Sequence, residues 1–503
     1  MKRVLTYLHP FLFALYPVLE LRNHNITYVD AAALVRPLIL AVLLTASVWA
    51  VLRLLFRDWQ KSGILTTLLV IAFFSYGHVF IAIESAFGTP IRHRYLTLIY
   101  AVILLLSAIF ILWKVGKPGA LVSFLTVAGA ALTIFSIIPS VQHDLAIYRS
   151  AQRSNTAQSS LIQPVSDTDG TPKPDIYLIV LDAHTSIRTL QEEFDYDASA
   201  FRQQLQELGF YVAECAQSNY PITKLSITST FYANYHEDPT LYPVFSSLVI
   251  ETLRSEGYRV MTFENRSSGH FDIGEDVRLA RNQMLLSGVD LRGGLSEFEV
   301  MLWQTSFARV AYDMPQLIPA FNVQSLHEWE YYEHYQQTYF MLEEMKDLPE
   351  IAGPKFVFVH FLVPHPPFIF APNGEFAWAD GKAEGYISNV QFIDSQIVPV
   401  FAEIIKKSKT PPVIIVMGDH GATGIPEIET PQWRMSILNA YYVNDQARND
   451  LYESITPVNS FRVVFNNYFG TDYPLLEDRS YHASNMEKFT EQFLVENECQ
   501  ASP

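Results

Sequence analysis

Five long apolar stretches crowd the first 142 residues, at 4–21, 32–56, 63–86, 96–114 and 118–140. A helix that crosses a bilayer needs about 20 predominantly apolar residues. Inside lipid every backbone N–H and C=O must be satisfied within the segment, so helices are the form such stretches take. The chain is therefore expected to begin with a five-helix transmembrane bundle. The first stretch is short and holds His9, Pro10 and Pro17. It has the outline of an uncleaved signal segment, but no small-residue cleavage site follows and further spans come directly after it. With the N-terminus inside, the inner flanks hold Lys2, Arg3, Arg53, Arg57, Lys61, Lys114 and Lys117, and the outer flanks only Arg22, Arg36, Arg92 and Arg94. That bias favours a cytoplasmic N-terminus and puts everything after the fifth span outside. Glu84, near the outer end of the third stretch, is an intramembrane carboxylate and so a functional candidate. We read it as reaching the headgroup region.

The rest of the chain is different in kind. Residues 1–142 carry 11 Lys+Arg and 4 Asp+Glu, leaving 24 basic and 48 acidic residues of the chain's 35 and 52 for the remainder. At 503 residues the chain exceeds one ordinary domain. A net charge of −17 argues against nucleic acid as the main partner. Apolar residues at 49% exclude a disordered chain. Residues 143–174 are rich in Ser, Thr, Gln, Asp, Gly and Pro, and read as a linker.

From 175 to 503, apolar runs alternate with helical spacing. Asp175–Leu181, Tyr258–Phe263, Lys355–Leu362, Pro412–Met417 and Leu438–Val443 have the continuous apolar character of buried strands. Ala198–Leu208, Gly385–Lys407 and Pro457–Phe469 carry helical periodicity. Strand–helix alternation implies an α/β domain with a mostly parallel sheet and helices on both faces. Residues 285–350 read as a mostly helical insertion.

Ligands of open α/β sheets gather beyond the carboxyl ends of strands. Asp182 directly follows the first apolar run, and Gly418-Asp419-His420-Gly421 follows VIIVM. The run KFVFVHFLVPHPP delivers His360 and His365. Two Asp and one His form an oxygen and nitrogen donor set for a divalent metal. Ser218–Ser226 is a turn entering a helix, and a hydroxyl at a helix N-terminus can complete such a site where an anion is also favoured. Bland roles stand beside these: Asp182 as a helix cap, Thr223 as an N-cap competing with Ser226, Thr228 and Ser229, and His360 and His365 as core or loop histidines. Asp394 reads as an exposed helix carboxylate or a second metal ligand. His482 is ambiguous. Arg434, before a strand, fits an anionic headgroup or a surface role.

The arrangement resembles the alkaline-phosphatase superfamily, and most of all its sulfatase-like membrane branch, which includes lipoteichoic acid synthases and lipid A phosphoethanolamine transferases. That resemblance implies five spans followed by an extracytoplasmic catalytic domain. Asp182 matches the family's first acidic ligand, often Glu, and Asp419-His420 its late Asp-His pair. Thr223, with Ser226 three residues on, matches its nucleophilic threonine. His360 and His365 match two histidines, five apart, that contact substrate or phosphate. The transferases carry Ser-His-Gly-Pro around the second histidine, where this chain has Pro364-His365-Pro366-Pro367. The Cys/Ser-x-Pro-x-Arg segment of formylglycine sulfatases is absent from Cys215-Ala216-Gln217-Ser218-Asn219.

The resemblance implies a metal-dependent phosphoryl-group transferase with a membrane lipid or lipid-linked donor and a glycan or lipid acceptor. One divalent ion, zinc or manganese ahead of magnesium or calcium, would sit on Asp182, Thr223, Asp419 and His420. Two alternatives stay open: a sulfatase-like hydrolase, acting as phosphodiesterase, phosphatase or sulfuric ester hydrolase, and a non-catalytic envelope-assembly protein. The expected location is the plasma (inner) membrane. The two cysteines, Cys215 and Cys499, form no C-x-x-C pair, and a bridge between them is open; we read them as independent thiols.

Overall fold

The computed structural model describes residues 7–26, 29, 31–88, 91–158, 172–236, 244–264, 273–280, 285–286, 289–290, 296–314, 326–379, 383–425, 430–485 and 490–499. The chain divides into two compact units, Met1–Ala146 with Asn282–Glu330, and Ile147–Arg281 with Tyr331–Pro503. Segment 282–330 thus groups with the N-terminal helices, whereas the sequence reading kept 175–503 together. Residues 143–158, read as the start of a linker, continue the helix Gly119–Gln158. Residues 159–171 of that expected linker lie outside the described residues.

In the first unit, among the described residues, four helices are long and apolar enough to cross a membrane: Val35–Phe56, Trp59–Phe87, His93–Lys114 and Gly119–Ala146. The expected first span is instead the helix His9–His24, with 16 residues. At roughly 1.5 Å per residue it falls short of a hydrocarbon core about 30 Å thick. Large apolar side chains such as Leu54, Leu105, Leu106, Phe110 and Trp113 stand exposed on these helices. A surface that apolar belongs against lipid or protein rather than water.

The helices Glu297–Gln304 and Arg309–Asp313 pack into the same unit. Arg36 pairs with Glu299, and His93 Nε2 lies 2.9 Å from Asp313 Oδ2. Glu84, expected to reach the headgroups, faces Arg309 at 3.6 Å. The Phe307 N–H donates to Phe73 C=O at 2.7 Å. Gly77 permits this approach, since a Cβ there would lie 2.3 Å from Gln304 O.

The second unit is built on a seven-stranded sheet, ordered Tyr211–Val212, Asn439–Tyr442, Val413–Met417, Ile176–Leu181, Lys355–Phe361, Arg259–Phe263, Val277–Leu279. The four pairings among the last five strands are parallel, and the two involving Asn439–Tyr442 are antiparallel, so the sheet is mixed. All six side chains of Ile176–Leu181 are buried. Alternation along the strand explains why: Tyr177, Ile179 and Leu181 join one core, and Ile176, Leu178 and Val180 another. The first core is roofed by Ala383–Lys407 through Tyr386, Val390, Ile393 and Ile397. The second is roofed by Thr223–Tyr232 through Ile227 and Phe231, and by Pro457–Tyr468 through Phe461 and Phe465. Each buried aliphatic side chain contributes about 1.5–3 kcal/mol. A strand covered on both faces must therefore be apolar throughout, and a carboxylate at Leu178 would break it.

Cys215 and Cys499, read above as independent thiols, form a disulfide with Cα atoms 5.4 Å apart. The chain's end returns to the Cys215 loop, where Asn497 Nδ2 donates to Cys215 C=O at 2.8 Å. A sequence separation of 284 concealed that proximity.

Candidate metal centre

Register brings the site together. Val180 lies opposite both Met417 and His360 across two parallel pairings. The carboxyl ends of the three strands are therefore level, and residues at or just beyond those ends converge. Asp182, His360 and Asp419 each offer a ligand atom, all within 4.8 Å of one another, and all three are buried. His360 Nε2 lies 3.0 Å from Asp182 Oδ2. His420 Nε2 stands 3.6 Å from Asp182 Oδ1 and 3.5 Å from Asp419 Oδ2. Among the described residues, Asp182 Oδ1 and Asp419 Oδ2 are buried without a hydrogen-bond partner. Two adjacent buried carboxylates in that condition are costly unless a cation compensates them, so the donor set fits a divalent metal.

The turn 182–185 is held on several sides. The Ala183 N–H donates to Asp419 Oδ1 at 3.0 Å, tying one carboxylate's turn to the other. Ala183 has φ 64°, a left-handed conformation uncommon outside glycine. Tyr386 O–H fixes it by donating to Ala183 C=O at 2.8 Å. The His184 C=O accepts from Leu438 N–H at 3.0 Å. It also lies 2.2 Å from where a Cβ on Gly418 would sit, so the Gly418-Asp419-His420 turn requires that glycine. His184 itself is buried, with Nε2 2.9 Å from Asp394 Oδ1. Asp394, read as exposed or as a second metal ligand, is thus a buried partner of His184.

Thr223 opens the helix Thr223–Tyr232, whose start has no side-chain cap. Its Oγ1 lies 3.4 Å from His420 Nε2. The competing hydroxyls are engaged elsewhere or enclosed: Thr228 donates to Lys224 C=O, Ser229 to Ser226 C=O, and Ser226 is fully buried. An uncapped helix N-terminus favours an anion.

The electrostatics suit metal binding. His420 Nδ1 lies 2.9 Å from Gly421 C=O, which can only accept, so Nδ1 carries the proton. Burial, aided by the Arg434 guanidinium and opposed by Asp419 and Asp182, lowers the His420 pKa to about 4. The imidazole is therefore neutral at physiological pH, and Nε2 is its acceptor atom, turned towards Thr223 and Arg434. Burial pushes the Asp182 carboxyl upward, but the charge of His365, the His360 hydrogen bond and His420 outweigh it and hold the group well below the usual carboxylate range.

His365 joins the site through its backbone N–H, which donates to Asp182 C=O at 2.9 Å. Its ring centroid is 6.2 Å from that of His420. Its Nδ1 donates to Pro366 C=O at 2.6 Å, leaving Nε2 available. Arg434 donates through Nε to Pro221 C=O at 2.9 Å, and its Nη2 is 3.5 Å from His420 Nε2. Its backbone C=O accepts from Gly421 N–H, so it is anchored to the same turn. His482 lies apart, in the hairpin Tyr481–Asn485 with Thr490–Leu494. The sequence reading missed His334: it is buried, its Nε2 has no hydrogen-bond partner among the described residues, and the charges of His365 and Asp182 act on it.

No family model matches the sequence, and no curated protein matches it. Among solved structures, the C-terminal periplasmic domain of EcEptC from Escherichia coli, in complex with Zn, is matched at 12% identity over 66% of this chain and 96% of that one, with a TM-score of 0.43. The integral membrane protein lipooligosaccharide phosphoethanolamine transferase A (EptA) from Neisseria meningitidis is matched at 12% identity over 92% of this chain and 95% of that one, with a TM-score of 0.37. A protein in the alkaline phosphatase superfamily from Vibrio parahaemolyticus is matched at 11% identity over 67% and 81%, with a TM-score of 0.38.

Proposed function

We propose that the chain is a membrane-bound phosphoryl-group transferase acting on lipid-linked or cell-envelope substrates, with Thr223 as its nucleophile. One observation carries this reading. Two buried carboxylate oxygens without hydrogen-bond partners among the described residues, Asp182 Oδ1 and Asp419 Oδ2, stand beside His420 Nε2, and the Thr223 hydroxyl is 3.4 Å from that nitrogen. Asp182, Thr223, Asp419 and His420 would hold one divalent ion, with zinc or manganese favoured by the mixed oxygen and nitrogen donors. When bound, such an ion lowers the pKa of a hydroxyl that it touches and stabilises negative charge on a phosphoryl oxygen.

The chain's own residues then divide the work. The Thr223 hydroxyl releases its proton to solvent as Oγ1 attacks phosphorus, and the bond from phosphorus to the departing lipid alkoxide breaks, leaving the headgroup phosphoryl on Thr223. The start of the Thr223–Tyr232 helix and the Arg434 guanidinium hold non-bridging oxygens. His365, with Nδ1 committed to Pro366, offers Nε2 to carry a proton to the alcohol as it leaves. His360 braces Asp182 and keeps its carboxylate turned inward. An acceptor hydroxyl from a glycan or lipid then takes the group from Thr223 by the reverse displacement.

We read the catalytic unit as extracytoplasmic and the N-terminus as cytoplasmic, which requires the short His9–His24 helix to cross a locally thinned bilayer as a fifth span. The Cys215–Cys499 disulfide supports an oxidising compartment for the catalytic unit.

Product analysis tests the reading. Full-length protein with zinc, phosphatidylethanolamine vesicles and a lipid-linked glycan should yield diacylglycerol and a headgroup adduct on the glycan. Free headgroup phosphate without an adduct would make the chain a hydrolase. No reaction, with metal content unchanged in Asp419→Ala, would make it a non-catalytic envelope protein.

A further inference from the structure

The helical unit contains a slot of about 550 Å³. It lies between the helices His9–His24, Trp59–Phe87 and Gly119–Gln158. Its apolar wall is one stripe from each: Phe13 and Leu21, Ile71 and Phe74, and Leu132. Residues three, four, seven or eight apart share a helix face, so the slot runs along the helix axes rather than across them. Polar groups gather towards one end, where Glu20, His24 and His78 line it. Glu20 is fixed there: Ser136 Oγ donates to its Oε2 at 2.7 Å, and His24 Nδ1 is 3.6 Å from its Oε1. A carboxylate held among spanning helices marks a functional site unless it is purely structural.

Length and chemistry indicate the occupant. From Phe13 to His24 the wall runs for about 16 Å at roughly 1.5 Å per residue. A hydrocarbon core is about 30 Å thick, so the slot is about as long as one leaflet is deep. Its volume falls within the roughly 300–1,000 Å³ of small-molecule sites. Ile71 and His78 are exposed, so the slot opens sideways. Water would leave an apolar wall hydrated, and the abundant apolar molecule beside such a helix is lipid.

We infer that the slot binds one acyl chain of a bilayer phospholipid, with its tail along Phe13, Ile71 and Leu132 and an amine headgroup at the Glu20 end. The negative charge of Glu20 favours an ammonium there, and His24 and His78 offer partners to the phosphate. This rests on the helices crossing a membrane, and it is independent of the metal centre.

Photolabelling in vesicles of phosphatidylethanolamine and phosphatidylglycerol, with a trace of diazirine-tailed phosphatidylethanolamine, tests it on the full chain. Peptides carrying Phe13–Leu21 and Ile71–Phe74 should be labelled several-fold above the peptide carrying Leu105 and Leu106, which are exposed on another helix. Leu21→Trp and, separately, Ile71→Trp should fill the slot and abolish that excess while leaving Leu105 and Leu106 labelled. Glu20→Gln should reduce the excess with this probe and not with a phosphatidylglycerol probe. Equal labelling of slot and control peptides, or an excess that survives both tryptophan variants, would overturn the proposal. Absence of label at Leu105 and Leu106 as well would overturn the membrane reading, and the slot with it.

Discussion

Thr223 Oγ1 lies 3.4 Å from Nε2 of His420, although 197 residues separate the two in sequence. One residue opens a helix and the other ends a strand turn, so both are held by rigid elements. Thr223→Ala removes the proposed nucleophile while leaving the carboxylates in place. Turnover is expected to fall by about 10³-fold or more, with the thermal midpoint unchanged and most of the metal retained on the buried Asp182, Asp419 and His420. Steady-state kinetics beside metal analysis checks this, and near-normal turnover would contradict it.

His184 and Asp394 supply a second expectation. His184 Nδ1 lies 2.8 Å from Thr185 C=O, an acceptor, so Nδ1 donates and Nε2 faces Asp394 Oδ1. The pair braces the turn that carries Asp182. Asp394→Ala is expected to weaken metal binding by about 10–100-fold, the usual cost of losing a group behind a ligand. Asp394→Asn keeps a side-chain amide that can pair with Nε2 as acceptor or donor, and should recover most of the affinity. Competition with a chelating dye measures both, and equal losses would contradict the positioning role.

Acid should destabilise the catalytic unit in a definite window. Burial lowers the pKa of His236, His334 and His420 to about 4 in each case, whereas an unfolded histidine titrates near 6.5. Between these values the unfolded chain binds more protons, so the contribution is complete above pH 6.5 and is lost as pH falls towards 4. Melting curves with a chelator present should show the midpoint dropping across that range. His334→Gln should flatten the drop, and an unchanged slope would contradict the account.

Reduction bears on stability. The Cys215–Cys499 bond closes a loop across a separation of 284 residues. Its removal in Cys499→Ser is expected to cost about 2–4 kcal/mol. Chemical denaturation under non-reducing conditions measures this. A variant as stable as the parent would show that the bond contributes nothing.

Much of the sheet was legible because strands covered on both faces must be continuously apolar, as at Ile176–Leu181 and Val413–Met417. Asp182 and Asp419 could be picked out because the first follows such a run directly and the second after one glycine. The contact of His360 with Asp182 was not, since it depends on the register that sets Val180 opposite His360. Asp394 had a readable signal that was passed over. It falls four residues after Val390 and three before Ile397, within the buried stripe of its helix. His334 gave no such cue, because its helix Leu326–Glu344 shows little apolar periodicity. The return of 282–330 to the N-terminal helices rests on pairs such as Arg36 with Glu299 and His93 with Asp313, which no local pattern announces.

The most direct test is to trap the group on the enzyme. Full-length protein with zinc and phosphatidylethanolamine vesicles, but no acceptor, is quenched in acid and mapped by peptide mass spectrometry. The account predicts the mass of the headgroup phosphoryl on Thr223, and its loss when a glycan acceptor is added before the quench. An adduct on another residue, or steady headgroup transfer with Thr223 never modified, would contradict it.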